Sequence, residues 1–311
     1  MSSIVLIESK KYFNAISSGL SSDYNAVLVD SKSISEYNNC SDVIAVVCSR
    51  GLAHRLETIN LPNCKLIQLE SVGFDDVNLS CFAKKHITVC NAKSIYDNCL
   101  AEYVVFAMLL YAKRFHKSPK RWWFRPLRNY HYMTEIAGKT VGIMGVGQIG
   151  GAVAKRLSTF GVKIIGYANH TKEKDFFDKI YHKADFPEFL SACDFLVNVL
   201  PHDSSTFGLL NKESLGYLKP NVVFINIGRD SIYEKCDFVR FMRMNKDAVA
   251  ILDIFEIIPR YITNPLRRLS NVLIFPRVSA ISQESDNYLI RLVIDNITRL
   301  QNHQEFKNQI V

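Results

Sequence analysis

Apolar residues over the first hundred positions fall into short β-branched runs at 4–7, 26–29, 43–47, 65–69 and 87–90. Polar or helix-forming stretches such as 10–20 and 78–85 lie between them. Short apolar runs bounded by turn-forming residues predict strands, and strands alternating with helices predict a mainly parallel sheet. Residues 102–114 then read as a long apolar helix. Pro119 and Pro126 interrupt the chain beyond it, because proline lacks an N–H and clashes with the preceding turn. A second alternating series opens at Thr140, with strands predicted at 141–144, 163–167, 195–199, 222–225, 248–252 and 272–275. Six strands with helices between them match a doubly wound sheet. The tail, 286–300, has the period of one amphipathic helix. There is no internal repeat, low-complexity tract or acidic tail.

A chain of 311 residues suits two domains of about 150 residues each. With 48% apolar and 22% charged residues, wholesale disorder is excluded. No apolar run reaches the roughly 20 residues that cross a bilayer, so no membrane partner is expected. The opening MSSIVLIESK has no basic region followed by a long apolar stretch, so a secretory signal is not expected and a cytoplasmic protein is. The eight cysteines form no C-x-x-C pair and no histidine pair has zinc spacing, so reduced thiols and no metal are expected. Lysine and arginine total 38 against 30 acidic residues, a net charge of +8 that suits an anionic small molecule or nucleic acid. The densest basic stretch, KRFHKSPKRWWFRPLR at 113–128, interleaves Trp122, Trp123 and Phe124. No nucleic-acid module surrounds it, so it reads as a helix end and surface loop whose tryptophans pack between domains, and nucleic acid is not an expected partner.

The strongest local signal is TVGIMGVGQIGGAVAKRL. Gly145, Gly147 and Gly150 fit G-x-G-x-x-G between an apolar strand and a helix, with Gln148 and Ile149 completing the turn. The first glycine allows the tight turn, the second lets backbone approach a pyrophosphate, and the third lets helix pack on strand. A helix N-terminus then offers N–H groups and partial positive charge to the phosphates. This predicts an NAD(P) cofactor. At the end of the next strand, an acidic side chain would bind a ribose 2′-OH and repel a 2′-phosphate. Here the strand runs into Asn169, His170, Thr171 and Lys172, with Lys174 beyond, and the carboxylate is missing. NADP is therefore slightly favoured over NAD.

The order of motifs resembles the D-isomer-specific 2-hydroxyacid dehydrogenase family over nearly the whole chain. The segments that carry the resemblance are KLIQLESVGFDDVN (65–78), CLAEYVVFAM (99–108), IAGKTVGIMGVGQIG (136–150), LPHDSST (200–206), INIGR (225–229), LDIFEIIP (252–259) and NVLIFPR (271–277). The resemblance implies an α/β protein of two Rossmann-like domains. A doubly wound dinucleotide-binding domain, residues 100–281, is inserted into a smaller flavodoxin-like substrate domain, residues 1–99 plus 282–311. The chain would cross between them near Leu100 and Ile281, and a homodimer is implied. The activity implied is hydride transfer between the nicotinamide and a small anionic 2-keto or 2-hydroxy acid. Arg229 stands at the position of the family's carboxylate-binding arginine. Asp253 matches the aspartate that meets the nicotinamide amide, and Pro201 and Thr206 fall in a cofactor segment. Val72 and Gly73 match the loop whose N–H groups receive the substrate carboxylate, with Ser49 and Arg50 lining the same cleft.

Two positions depart from the family. Its D-V-F-x-x-E-P becomes DIFEIIP, with Ile258 in place of the catalytic glutamate and Glu256 two residues earlier. Its T-P-H becomes Phe275-Pro276-Arg277, so arginine replaces the proton-transferring histidine. A guanidinium holds its proton at any relevant pH and cannot shuttle it. Both losses fall in one dyad, and a glutamate left without its histidine would be a buried unpaired charge. One reading is an oxidoreductase with altered acid–base chemistry. In it Arg229 and Arg277 hold the acid, and water or a residue such as Tyr96, His131 or Tyr132 supplies the proton. The other is a catalytically silent NAD(P)-binding sensor or partner protein. Retention of Arg229 and Asp253 places the oxidoreductase first.

Overall fold

The structure, a computed structural model, describes residues 3–115, 133–170, 173–253 and 264–311. The chain divides into two compact units, Met1–Tyr96 with Ser282–Val311, and Asp97–Ile281.

The first unit is built on β1 (Ser3–Ile7), β2 (Tyr24–Leu28), β3 (Val43–Cys48), β4 (Leu66–Leu69) and β5 (Thr88–Cys90). They pair in parallel in the order β2-β1-β3-β4-β5, the flavodoxin-like order. Helices α1 (Lys10–Gly19), α2 (Arg50–Leu56), α3 (Leu79–Lys84) and the chain's last, α9 (Gln283–Gln301), cover it. Strand side chains alternate between the two faces. Leu6, Val46 and Ile67 pack with Leu52, Leu56 and Phe82 of α2 and α3. Val5, Ile7, Ala45, Val47 and Leu66 pack with Ile16 of α1 and Leu289, Val293 and Ile297 of α9. Because both faces are covered, these strands read as continuous apolar runs, and each fully buried aliphatic side chain contributes about 1.5–3 kcal/mol. One polar pair is sealed inside: Asn296 of α9 donates to the Gln68 side chain at 2.7 Å, joining the tail to β4.

The second unit opens with α4 (Asp97–Ala112) and continues through β6 (Thr140–Met144), α5 (Gln148–Leu157), β7 (Lys163–Tyr167), β8 (Lys179–Tyr181), α6 (Phe186–Ala192), β9 (Phe195–Asn198), α7 (Lys212–Leu215), β10 (Val223–Asn226), α8 (Lys235–Met244), β11 (Val249–Leu252) and β12 (Val272–Ile274). The parallel sheet runs β12-β11-β10-β9-β6-β7-β8. Strand order reverses between β6 and β9, and a crevice for ligands opens there at the carboxyl ends of the strands. Phe189 and Leu190 of α6 and Phe238 and Met242 of α8 fill the core against Leu196, Phe224 and Ala250.

Two sequence expectations are corrected. Among the described residues the second unit's sheet has seven strands, not six. The added strand, β8, is a three-residue edge too short to show a period, and it is held by Tyr181 against β7. The helix expected over 102–114 spans Asp97–Ala112. Its polar opening, Asp97-Asn98-Cys99, hides the start, although an acid in the first turn favours a helix N-terminus.

Candidate functional site

The cofactor turn is shaped by its glycines. Gly145 has φ +105°, where a side chain is strained. A Cβ on Gly150 would lie 1.9 Å from the Gly145 carbonyl oxygen, so α5 can pack on β6 only without one. A Cβ on Gly147 would meet nothing within 4 Å. The backbone there faces open space at the start of α5, where helix geometry leaves N–H groups without intrahelical partners. Gly147 and Gln148 are exposed and Ile149 is half-buried. This cradle fits a pyrophosphate. Asn169 and His170 are exposed just beyond β7, while Thr171 and Lys172 lie outside the described residues. Lys174 folds back: a Cβ on Gly151 would lie 3.2 Å from its Cε and 3.8 Å from its Nζ, so the ammonium rests on the opening turn of α5.

Beyond the switch point, two buried asparagines end β9 and β10. Asn198 Nδ2 donates to Asn226 Oδ1 at 2.8 Å, and Asn226 Nδ2 donates to the Arg229 carbonyl at 3.0 Å. The Gly228 N–H donates to Asn226 Oδ1 and the Leu200 N–H to Asn198 Oδ1. One buried network thus fixes both loops, the one leading to Pro201 and the one carrying Arg229. Arg229 is half-buried and its Nη1 donates to the Gly228 carbonyl at 2.9 Å. Thr206 is buried, and its hydroxyl donates to the Pro201 carbonyl at 2.7 Å.

Asp253, 1% exposed, follows β11. Its carboxylate accepts from the N–H groups of Val278 and Ser279 at 2.8 and 3.0 Å and from the Ser279 hydroxyl. Its carbonyl accepts from the Arg277 N–H at 3.2 Å. Arg277 is exposed, has φ +58° and has no side-chain partner among the described residues. Tyr103 of α4 packs edge-on against Phe275, and its buried hydroxyl has no hydrogen-bond partner among the described residues. Burial, and then the nearby Asp253 charge, push its pKa up, so it remains a donor. Ile258 and Glu256, like His131, Tyr132, Trp122, Trp123 and Phe124, lie outside the described residues.

In the first unit, Ser49, Arg50, Val72 and Gly73 gather at the carboxyl ends of β3 and β4. Ser49 caps α2 by accepting from the Leu52 N–H, and its own N–H donates to Glu8 at 2.6 Å. Arg50 is held by Asp75 and Asp76 at 3.5 and 3.2 Å. The Val72 and Gly73 carbonyls accept from Asn91 and Ser71, both at 2.8 Å. Their N–H groups make no hydrogen bond among the described residues and are available to an anion. Tyr96 donates to the Glu70 carbonyl at 2.7 Å. Glu70 itself, which sequence reading passed over, has a buried oxygen with no partner among the described residues. Burial, and then the Glu8 charge, push its pKa up to about 7. Sequence reading also passed over Asn198 and Asn226, although in the strand endings FLVN and VFIN a polar residue closes an all-apolar strand and calls for a specific partner.

The family model for the D-isomer specific 2-hydroxyacid dehydrogenase NAD binding domain matches residues 105–279. The glyoxylate reductase of Thermococcus litoralis is 29% identical over 250 residues, 76% of this chain and 74% of that one. Among solved structures, a D-isomer specific 2-hydroxyacid dehydrogenase family protein from Aeromonas salmonicida is similar with TM-score 0.85 at 20% identity, covering 100% of this chain and 99% of that one. The NADPH-dependent glyoxylate/hydroxypyruvate reductase from Sinorhizobium meliloti, solved in complex with citrate, gives TM-score 0.84 at 23% identity over 99% and 97%. At these identities the structures establish the fold. The family model spans more than half of the chain, and the chain belongs to the D-isomer specific 2-hydroxyacid dehydrogenase family, with that family's NAD-binding domain.

Proposed function

We propose that this protein transfers hydride between a nicotinamide nucleotide and a small anionic 2-keto or 2-hydroxy acid, without the family's histidine–glutamate proton relay. The observation that carries this reading is the buried Asn198–Asn226 network, which holds Arg229 beside the crevice of a dinucleotide-binding sheet. A planar guanidinium suits bidentate binding of a carboxylate. Gly145, Gly147, Gln148, Ile149 and Gly150 would hold the pyrophosphate, and Asn169, His170 and Thr171 the adenosine ribose. Pro201, Thr206 and Asp253 would hold the nicotinamide half, which when bound supplies or accepts the hydride. Val72 and Gly73 would receive the substrate carboxylate, with Ser49 beside them. Arg50 would line the site with its charge already offset by Asp75 and Asp76. Arg277 would add positive charge for a dianionic or phosphorylated acid. Water or a nearby hydroxyl would carry the proton, and loss of positioned acid–base catalysis would slow turnover by about 10²- to 10⁴-fold.

NADPH is the proposed cofactor over NADH. Asn169 and His170 replace the expected carboxylate, and Lys174 brings an ammonium to the opening turn of α5. A cytoplasmic homodimer completes the reading. The test is oxidation of NADPH and NADH with glyoxylate, pyruvate, hydroxypyruvate and a phosphorylated keto acid. Slow turnover of at least one acid, with tighter binding of NADPH, is expected. Tighter NADH binding overturns the cofactor preference. The Phe275-Pro276-Arg277 sequence favours a second reading, a silent nucleotide-binding protein. Nucleotide binding with no turnover of any of these acids would select it.

A further inference from the structure

The first unit has an open pocket of about 310 Å³ lined by Lys65, His86, Arg299, Leu300, His303 and Phe306. It lies at the amino ends of β4 and β5, beside the last turn of α9. The four basic residues come from three separate stretches of chain. Lys65 directly precedes β4, His86 precedes β5, and Arg299 and His303 belong to the end of α9 and the segment after it. The parallel register Leu66↔Thr88 brings the entries of β4 and β5 together, with Lys65 level with the residue after His86, and the Thr88 N–H donates to the Lys65 carbonyl at 2.9 Å. The tail is pinned over them. Asn296 binds both the carbonyl and the N–H of Lys307, Ile310 and Val311 pair with Val89, and Gln309 bridges Cys90. The backbone around the pocket is therefore set before any ligand arrives, while the Lys65, His86 and His303 side chains are exposed at its mouth.

The charge balance is positive. Asp295 takes Arg299 and Lys307 at 2.9 and 3.0 Å, and the Glu305 carbonyl takes a second Arg299 nitrogen at 2.9 Å. Lys65, His86 and His303 have no carboxylate partner among the described residues. Both histidines hold left-handed backbone, φ +56° and +52°, as the residues that close α3 and α9. Opposite the basic groups, the half-buried Leu300 and Phe306 give an apolar wall. The volume equals about ten waters at roughly 30 Å³ each, more than a bare oxyanion fills.

We propose that this pocket is a second ligand site, for a small organic phosphate whose dianionic head meets Lys65, His86, Arg299 and His303 and whose apolar body lies on Leu300 and Phe306. An ammonium, a guanidinium and two imidazoles reaching in from three stretches of chain offer donors on several sides, which suits a tetrahedral dianion better than a planar carboxylate that one guanidinium alone can satisfy. The site is at the opposite end of β4 from Val72 and Gly73. Four residues at about 3.3 Å each put the two ends roughly 13 Å apart, so a ligand here leaves that loop free. The proposal does not depend on the hydride-transfer reading.

Phenyl phosphate and inorganic phosphate are the probes, titrated into the full chain without nucleotide. Binding is followed by calorimetry and by the imidazole resonances of His86 and His303. One saturable site per chain is expected, with both imidazoles shifting and phenyl phosphate bound several-fold more tightly. Lys65→Ala with His303→Ala should weaken phenyl phosphate at least tenfold and leave NADPH affinity unchanged. Should that double variant not fold, Lys65→Glu alone is expected to give the same loss. Absence of saturation, undiminished binding by a folded variant, or displacement of the probe by NADPH would each overturn the site. Equal affinity for the two probes would overturn the organic body.

Discussion

Glu70 shows how one side chain couples burial to pH. A carboxyl ordinarily loses its proton near 4.5, but here burial and then the neighbouring Glu8 hold it on up to about 7. Between those values the folded protein binds a proton that the unfolded chain has released. Stability from this group is therefore complete below pH 4.5, falls as pH rises through the window, and is flat above 7. At 1.36 kcal/mol per pH unit the loss is on the order of 3 kcal/mol. Glu70→Gln keeps the shape and removes the charge, so it should abolish this slope and stabilise the protein above pH 7. Urea unfolding at pH 5, 6 and 8 checks this, and an unchanged slope in the variant would refute it. Tyr103 is the neutral counterpart. A buried hydroxyl without a partner costs about 1–3 kcal/mol, so Tyr103→Phe should raise the stability of the nucleotide-free protein by about 1 kcal/mol in the same measurement.

At the scale of elements, β6 and α5 separate the folding role of a glycine from its binding role. Alanine at Gly150 drives a methyl into the Gly145 carbonyl, and overpacking of this kind costs about 1–3 kcal/mol. Alanine at Gly147 meets open space at an ordinary φ of −77°. Gly147→Ala should therefore unfold within about 1 kcal/mol of the parent. It should still lose tenfold or more in dinucleotide affinity, because its methyl occupies the surface a pyrophosphate must approach. Calorimetry of NADPH beside thermal unfolding distinguishes the two variants, and undiminished binding by Gly147→Ala would remove the turn from the site. This turn was legible in the sequence because its spacing encodes backbone geometry. So were eleven strands, whose apolar runs follow from sheets covered on both faces. The edge strand at Lys179–Tyr181 was not, since it owes its existence to pairing with β7 and not to its own pattern. Nor were the Asn198–Asn226 lock and the Glu8–Glu70 pair, which join residues 28 and 62 apart that only the parallel sheets bring together.

Over the whole molecule, the family's fold and its nucleotide domain are present, and on the proposed reading the glutamate and histidine of a proton relay are exchanged for Ile258 and Arg277. The exchange can be reversed to learn its effect. Arg277 sits at φ +58°, a conformation histidine tolerates better than most side chains, so Arg277→His adds no backbone strain. Alone, that imidazole lacks the glutamate that would orient it, and Ile258→Glu alone adds a carboxylate with no imidazole to pair with. Each single variant should change turnover by less than about tenfold, while the pair together should gain up to about 10²- to 10⁴-fold in kcat. The excess over the product of the single effects measures the coupling. A gain through the relay also has a signature that a purely structural effect lacks: kcat should acquire a titration near the ordinary histidine range, about 6.5, that the parent does not show. If the double variant binds NADPH as the parent does but gains neither rate nor titration, the missing relay is not the limit on this protein. The silent nucleotide-binding reading then takes precedence.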